Sequence, residues 1–182
     1  MRDDAIRLVI FDYLEENTDK IRIFEEVPIK HSRCDFFTVT DRLTGYEIKS
    51  DADSYERLAG QIKDYDAFFD ENYLVVGATH SASAKRKLPE YWGIISITDT
   101  EEGFIVETLR KAAPNPGCKR KNQLTKLWNS ELTAIMKRNK INVYYGKSKL
   151  FRADKLIGGV CDDTLRAEIC RELFERDYTK GR

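Results

Sequence analysis

Asp35, Glu47, Lys49, Gln61 and Tyr65 are residue types that together suit metal-dependent hydrolysis of a phosphodiester. An acid is followed, twelve residues on, by Glu47-Ile48-Lys49, and then by a Gln-x-x-x-Tyr pair. Mg²⁺ prefers one or two carboxylates plus carbonyl, water and phosphate oxygens. Asp35, Glu47 and the Ile48 carbonyl offer such a set, and Mn²⁺ would be held in the same way. The ion would polarise a phosphate oxygen and acidify a bound water. Lys49 would orient that water and stabilise developing charge, because the acids nearby favour its protonated form. In a strand, Glu47 and Lys49 face one way and Ile48 the other. An odd-length connector places Asp35 opposite Lys49 on that face, and a slip of one residue would reverse it. Glu25 and Glu26 have opposite parity, so one of them, taken as Glu26, completes the acidic site unless a bulge intervenes. Gln61 and Tyr65, four apart on a helix, share a face. A Glu-x-Lys pattern alone is more simply read as a charge pair on a strand. The helical Gln/Tyr pair is what sharpens the catalytic reading.

The elements that must position these groups are legible in the pattern. Helical spacing over Asp3 to Glu16 is followed by alternation over Ile21 to Ile29. A hairpin is expected from Cys34–Thr40 and Tyr46–Lys49 around Asp41–Gly45. Capping residues at Ser50–Ser54 predict a helix to about Phe69, then a buried strand at Tyr73–Gly77. A short helix at Ser81–Leu88 and strands at Gly93–Ile97 and Phe104–Leu109 complete the first part. Pro114 and Pro116 mark a joint, so residues 1–111 are expected to form the core. Residues 112–182 form a helical, basic C-terminal region, with helices at Asn122–Asn139, Asp154–Ile157 and Asp163–Arg176. The order predicts an α/β fold with a mixed central sheet flanked by helices.

At 182 residues, 41% hydrophobic and 34% charged, the chain suits a globular protein rather than a disordered one. Its apolar runs are too short to span a bilayer, and no signal-peptide core is evident, so a cytoplasmic location is expected. Cys34, Cys118, Cys161 and Cys170 form no Cys-x-x-Cys pair, which argues against a zinc site, a disulfide framework or an iron–sulfur cluster. The net charge of zero hides an asymmetry. Residues 1–109 carry 13 basic and 23 acidic side chains, whereas residues 110–155 carry 13 basic side chains against Glu131 and Asp154 alone. Lys119, Arg120 and Lys121, with Lys126, Lys137, Arg138, Lys140, Lys147, Lys149 and Arg152, are the expected phosphate-tracking surface. Tyr144 and Tyr145 lie among them and are read as core, with base stacking as the alternative.

The run Arg33-Cys34-Asp35, Gly45 to Ser50, Arg57-Leu58, Gln61 and Tyr65 resembles the PD-(D/E)XK superfamily. Within it, the run is similar to small bacterial proteins related to the VRR-type and RecB-like nucleases. Val75–Gly77, Pro89–Ile94, Asn115-Pro116 and Leu127–Leu132 extend the likeness, and Cys34 stands where the superfamily has its proline. The resemblance implies a restriction-endonuclease-like fold and a metal-binding, Mg²⁺- or Mn²⁺-dependent nuclease. Asp35 and Glu47 would be ligands, Lys49 catalytic, and Gln61 and Tyr65 would support the metal and contact DNA. DNA is the expected polymer rather than RNA, and a protein partner would supply any motor or targeting. The alternative is a catalytically silent nuclease-fold module that binds DNA or a partner protein in a defence or repair complex.

Overall fold

The computed structural model describes residues 3–180, which divide into two compact units. Of these, the first comprises residues 3–38 and 43–118, and the second residues 39–42 and 119–180. The division falls after Cys118 rather than at the expected joint between 111 and 112. The proline-flanked Asn115 explains the difference. Its amide donates to the carbonyls of Asp66 and Phe69, and its backbone N–H to that of Asp70, tying the segment to the first unit.

That unit is built on a six-stranded sheet in the order β1-β2-β3-β4-β5-β6. The strands are β1 (Arg22–Ile29), β2 (Ser32–Val39), β3 (Leu43–Lys49), β4 (Glu71–Gly77), β5 (Gly93–Thr100) and β6 (Gly103–Arg110). Two-residue and three-residue connections join β1 to β2 and β2 to β3, which only antiparallel neighbours allow. β3 pairs parallel with β4, β4 parallel with β5, and β5 antiparallel with β6, so the sheet is mixed. The parallel steps need crossovers, which α2 (Leu58–Asp66) and α3 (Ser81–Lys87) supply.

α1 (Asp3–Glu16) lays Ile6 and Ile10 against Phe36, Tyr46, Ile48, Val75, Ile95 and Ile97. These residues alternate along their strands, as a sheet packed on that face requires. The rings of Phe36, Tyr46 and Tyr73 stack in sequence across β2, β3 and β4, at 4.5 and 5.4 Å. A second aromatic group brings Tyr65 of α2 to Phe69 and Trp92. Gly45 allows this packing, because a Cβ there would sit 2.3 Å from the Phe69 ring. α2 starts at Leu58 rather than near Ser54, since Asp53 turns its carboxylate back onto the N–H and hydroxyl of Ser50. That local ring competes with helix formation.

The second unit holds α4 (Arg120–Leu124), α5 (Asn129–Arg138), α6 (Lys149–Gly159) and α7 (Asp162–Glu175). Leu124, Leu132, Ile135, Met136, Leu156, Leu165 and Ile169 form its buried interior. The single helix expected over Asn122–Asn139 is broken, because Glu131 accepts from the Trp128 N–H at 2.6 Å and starts a new helix there. Glu131 is itself held by Arg176, whose guanidinium lies over the Trp128 ring. Among the described residues, no helix is long and apolar enough to cross a membrane.

Candidate functional site

A cavity of about 670 Å³ opens in the first unit beside the ends of β2 and β3 and the start of α2. Asp35, Glu47, Ile48, Lys49 and Gln61 all line it, with Arg33, Arg57 and Asp64 among their neighbours. Ile48 turns its side chain into the core, which leaves Glu47 and Lys49 on the opposite face. Glu47 is 1% and Lys49 5% exposed.

The Glu47 carboxylate already accepts from three of the protein's own donors. The Lys49 ammonium and the Gln61 amide both reach Oε1 at 2.5 Å, and the Tyr65 hydroxyl reaches Oε2 at 2.7 Å. Tyr65 is fully buried. Its oxygen also accepts from the Asp35 N–H at 3.3 Å, bridging β2 and β3. Asp35 in turn accepts the Ile48 N–H at 2.7 Å. The orientation of Gln61 is fixed by Glu47, and among the described residues its buried Oε1 has no hydrogen-bond partner.

Mg²⁺ or Mn²⁺ on Glu47 Oε1 would compete with Lys49 and Gln61 for that oxygen. Among the described residues, no group of three or more His, Cys, Asp or Glu side chains is arranged to hold a metal. The acid at Glu26 is also engaged elsewhere. Its backbone has φ +54°, and Glu25 and Glu26 both reach Arg7, at 3.4 and 2.9 Å. Glu26 binds Arg33 as well, at 2.7 Å.

Burial keeps Tyr65 and Cys34 protonated. Desolvation, followed by the nearby Cys34, Glu47 and Asp35, pushes the Tyr65 hydroxyl well above its ordinary range, so it stays a donor. Desolvation likewise pushes up the Cys34 thiol, which donates to the Phe36 carbonyl. Both groups keep in the folded state a proton that the unfolded chain releases. Their contribution to stability is therefore complete below the unfolded pKa values and is lost as pH rises beyond them. Stability is expected to fall from about pH 9 upward, by about 1.4 kcal/mol per pH unit for each ionising group. Guanidinium unfolding at stepped alkaline pH measures this, and Cys34→Ala should remove the earlier part of the fall.

The basic residues of the second unit sort into two kinds. Arg120 pairs with Asp162, Lys121 with Asp154, and Arg138 with Glu168 and Glu172. Arg166, Arg171 and Arg176 pair with Asp163, Glu175 and Glu131. Arg152 is buried against Asn129 and Thr133. Lys149 donates to the Thr125 carbonyl, and burial followed by the Lys149 charge lowers the pKa of Lys126. Lys119, Lys137, Lys140, Lys147 and Lys155 remain exposed, and among the described residues none of them has an ion-pair partner. Lys155 did not stand out in the sequence. Of the expected DNA contacts, Lys119 is exposed, Arg120 and Lys121 are ion-paired, and Tyr65 is sealed in the interior.

Residues 1–180 match the model of the family described as bacteriophage P4 protein cII, and the chain belongs to that family. Among solved structures, the protein of unknown function SPO1766 from Silicibacter pomeroyi is similar at 17% identity. The likeness covers 63% of this chain and 73% of that one, with a TM-score of 0.48. No curated protein matches. Full-length membership in the P4 cII family overturns the PD-(D/E)XK assignment and, with it, the restriction-endonuclease-like fold. What stands is a mixed sheet with flanking helices. The nuclease activity, the hydrolase class and the metal-binding role are corrected on the same finding, together with the absence of a metal-holding cluster among the described residues. The physical reason is that Glu-x-Lys plus Gln-x-x-x-Tyr also specifies a buried charge pair capped by helix donors.

Proposed function

We propose that this member of the bacteriophage P4 protein cII family is a DNA-binding protein without catalytic activity, which grips the phosphate backbone through lysines of its second unit. The observation that carries this reading is an uncompensated charge. From Glu131 to Glu175 every acid of that unit has an Arg or Lys partner, and among the described residues five lysines are left over at the surface. Residues 119–182 hold 16 basic side chains against 8 acidic ones. Phosphate neutralisation by such lysines is the main source of sequence-independent DNA affinity. DNA rather than RNA is the finer part of the proposal. The cavity of the first unit is a poor place for a phosphate, because Asp35, Glu47, Asp53, Glu56 and Asp64 outnumber Arg33, Lys49 and Arg57 there. In this reading the Glu47 cluster organises the fold.

Electrophoretic mobility of labelled duplex DNA and of an RNA duplex, with the full chain in EDTA, tests the proposal. Retarded DNA, with the RNA less retarded, is the expected result. Unretarded DNA at low salt would overturn it.

A further inference from the structure

The turn between α5 and α6 presents an aromatic side chain to solvent among lysines. Tyr145 is 77% exposed. The Lys147 N–H donates to the Tyr144 carbonyl at 3.1 Å, and Gly146 has φ +78°, the features of a turn that needs glycine at its third position. Tyr144 itself is held at φ +53°, a conformation that side chains other than Asn and Asp rarely adopt. Ser148 then caps α6 by accepting the Phe151 N–H. The backbone is thus fixed on both sides of a tyrosine that, among the described residues, no ring contact secures.

Tyr144 packs edge-on against Phe151, with centroids 5.3 Å apart. The Lys155 ammonium lies 5.3 Å from the Phe151 centroid and 5.9 Å from that of Tyr144, and the Lys147 ammonium lies 5.9 Å from Phe151. Two cations are therefore held beside the rings. A groove of about 350 Å³ lies next to them, lined by Tyr144, Lys155, Ile141, Gly158, Gly159 and Asp154.

We infer that this turn is a stacking site for single-stranded DNA, in which an unpaired base lies on Tyr145 while Lys147 and Lys155 meet the flanking phosphates. Alternating aromatic faces and cations are what a single strand needs, since each nucleotide offers a base face and an anion. A duplex hides its base faces and would use the lysines alone. The inference rests on the DNA-binding reading and adds strand preference to it.

Fluorescence anisotropy of the full chain with an oligothymidylate and with a duplex of equal length separates the two. Tyr145→Ala is expected to weaken single-strand binding by about tenfold while leaving the duplex unchanged, and Tyr145→Phe to preserve both. Lys147→Ala combined with Lys155→Ala should weaken both ligands. Wild type that binds duplex but not the single strand would overturn the stacking site alone. Equal losses on both ligands in Tyr145→Ala, or none, would do the same. Binding of neither ligand by wild type would overturn the DNA reading itself. Sedimentation velocity supplies the remaining arm. A self-association that Tyr145→Ala abolishes without altering single-strand affinity would assign the tyrosine to contact between copies and overturn the inference.

Discussion

Lys49→Ala is expected to destabilise the protein by about 3–5 kcal/mol, the cost of leaving one partner of a buried ion pair without its counter-charge. Glu47 is almost wholly shielded from water. Gln61 and Tyr65 would remain hydrogen-bonded to it, but neither carries a positive charge. Glu47→Gln should be costly for the reciprocal reason. The double variant Glu47→Leu with Lys49→Met should recover much of the loss, because well-packed apolar residues often replace a buried pair without penalty. Chemical denaturation measures all three. Duplex affinity, measured well below the unfolding midpoint, should be unchanged in Lys49→Ala, since the cavity is not where DNA is proposed to bind. Mg²⁺ and Mn²⁺ provide a companion test. If Lys49 fills the place a cation would take, neither metal should raise the wild-type midpoint. A rise that is lost in Glu47→Gln would show that a metal displaces the lysine.

Reversing Lys137, Lys140, Lys147 and Lys155 together to Glu should lower duplex affinity by about a hundredfold or more at low salt. The melting temperature should fall only modestly, because the four lysines are exposed and the ring contacts of Lys147 and Lys155 are worth about 0.5–1 kcal/mol each at such sites. Reversal of Arg138 is a useful contrast. It is clamped between Glu168 and Glu172, so its loss should act on stability more than on DNA. A uniform loss of affinity for the two kinds of variant would mean that charge is sensed globally rather than at the unpaired lysines.

The period of apolar residues made much of the first unit legible. Ile6 and Ile10 announced α1, and the turn residues Asp41 to Gly45 announced the β2–β3 hairpin. The juxtaposition of Glu47 with Lys49, and of Gln61 with Tyr65, follows from periods of two and of nearly four. The direction of the hydrogen bonds does not follow. Spacing brings Gln61 and Tyr65 toward Glu47, but only the fold reveals that both donate to the carboxylate. Read from types alone, that arrangement is easily taken for a catalytic site. In the second unit the obstacle was distance along the chain. Arg176 finds Glu131, and Arg138 finds Glu168, across 45 and 30 residues, so a count of nearby charges overstated the free basic surface. The break between α4 and α5 was hidden for the same reason, because Glu131 reads as one more polar position of a long helix. The exposure of Tyr145 depends on the positive φ angles beside it, and of those only Gly146 left a trace in the sequence.

The most direct test of the central claim is the salt dependence of duplex binding by the full chain in Mg²⁺, with the DNA recovered afterwards on a denaturing gel. Four or so lysines on phosphate predict a log–log slope of about −3.6, which is about a 150-fold loss of affinity between roughly 50 and 200 mM salt, with every strand intact. Binding that ignores salt, or strands cut in a manner that requires Lys49, would contradict a DNA-binding protein without catalytic activity.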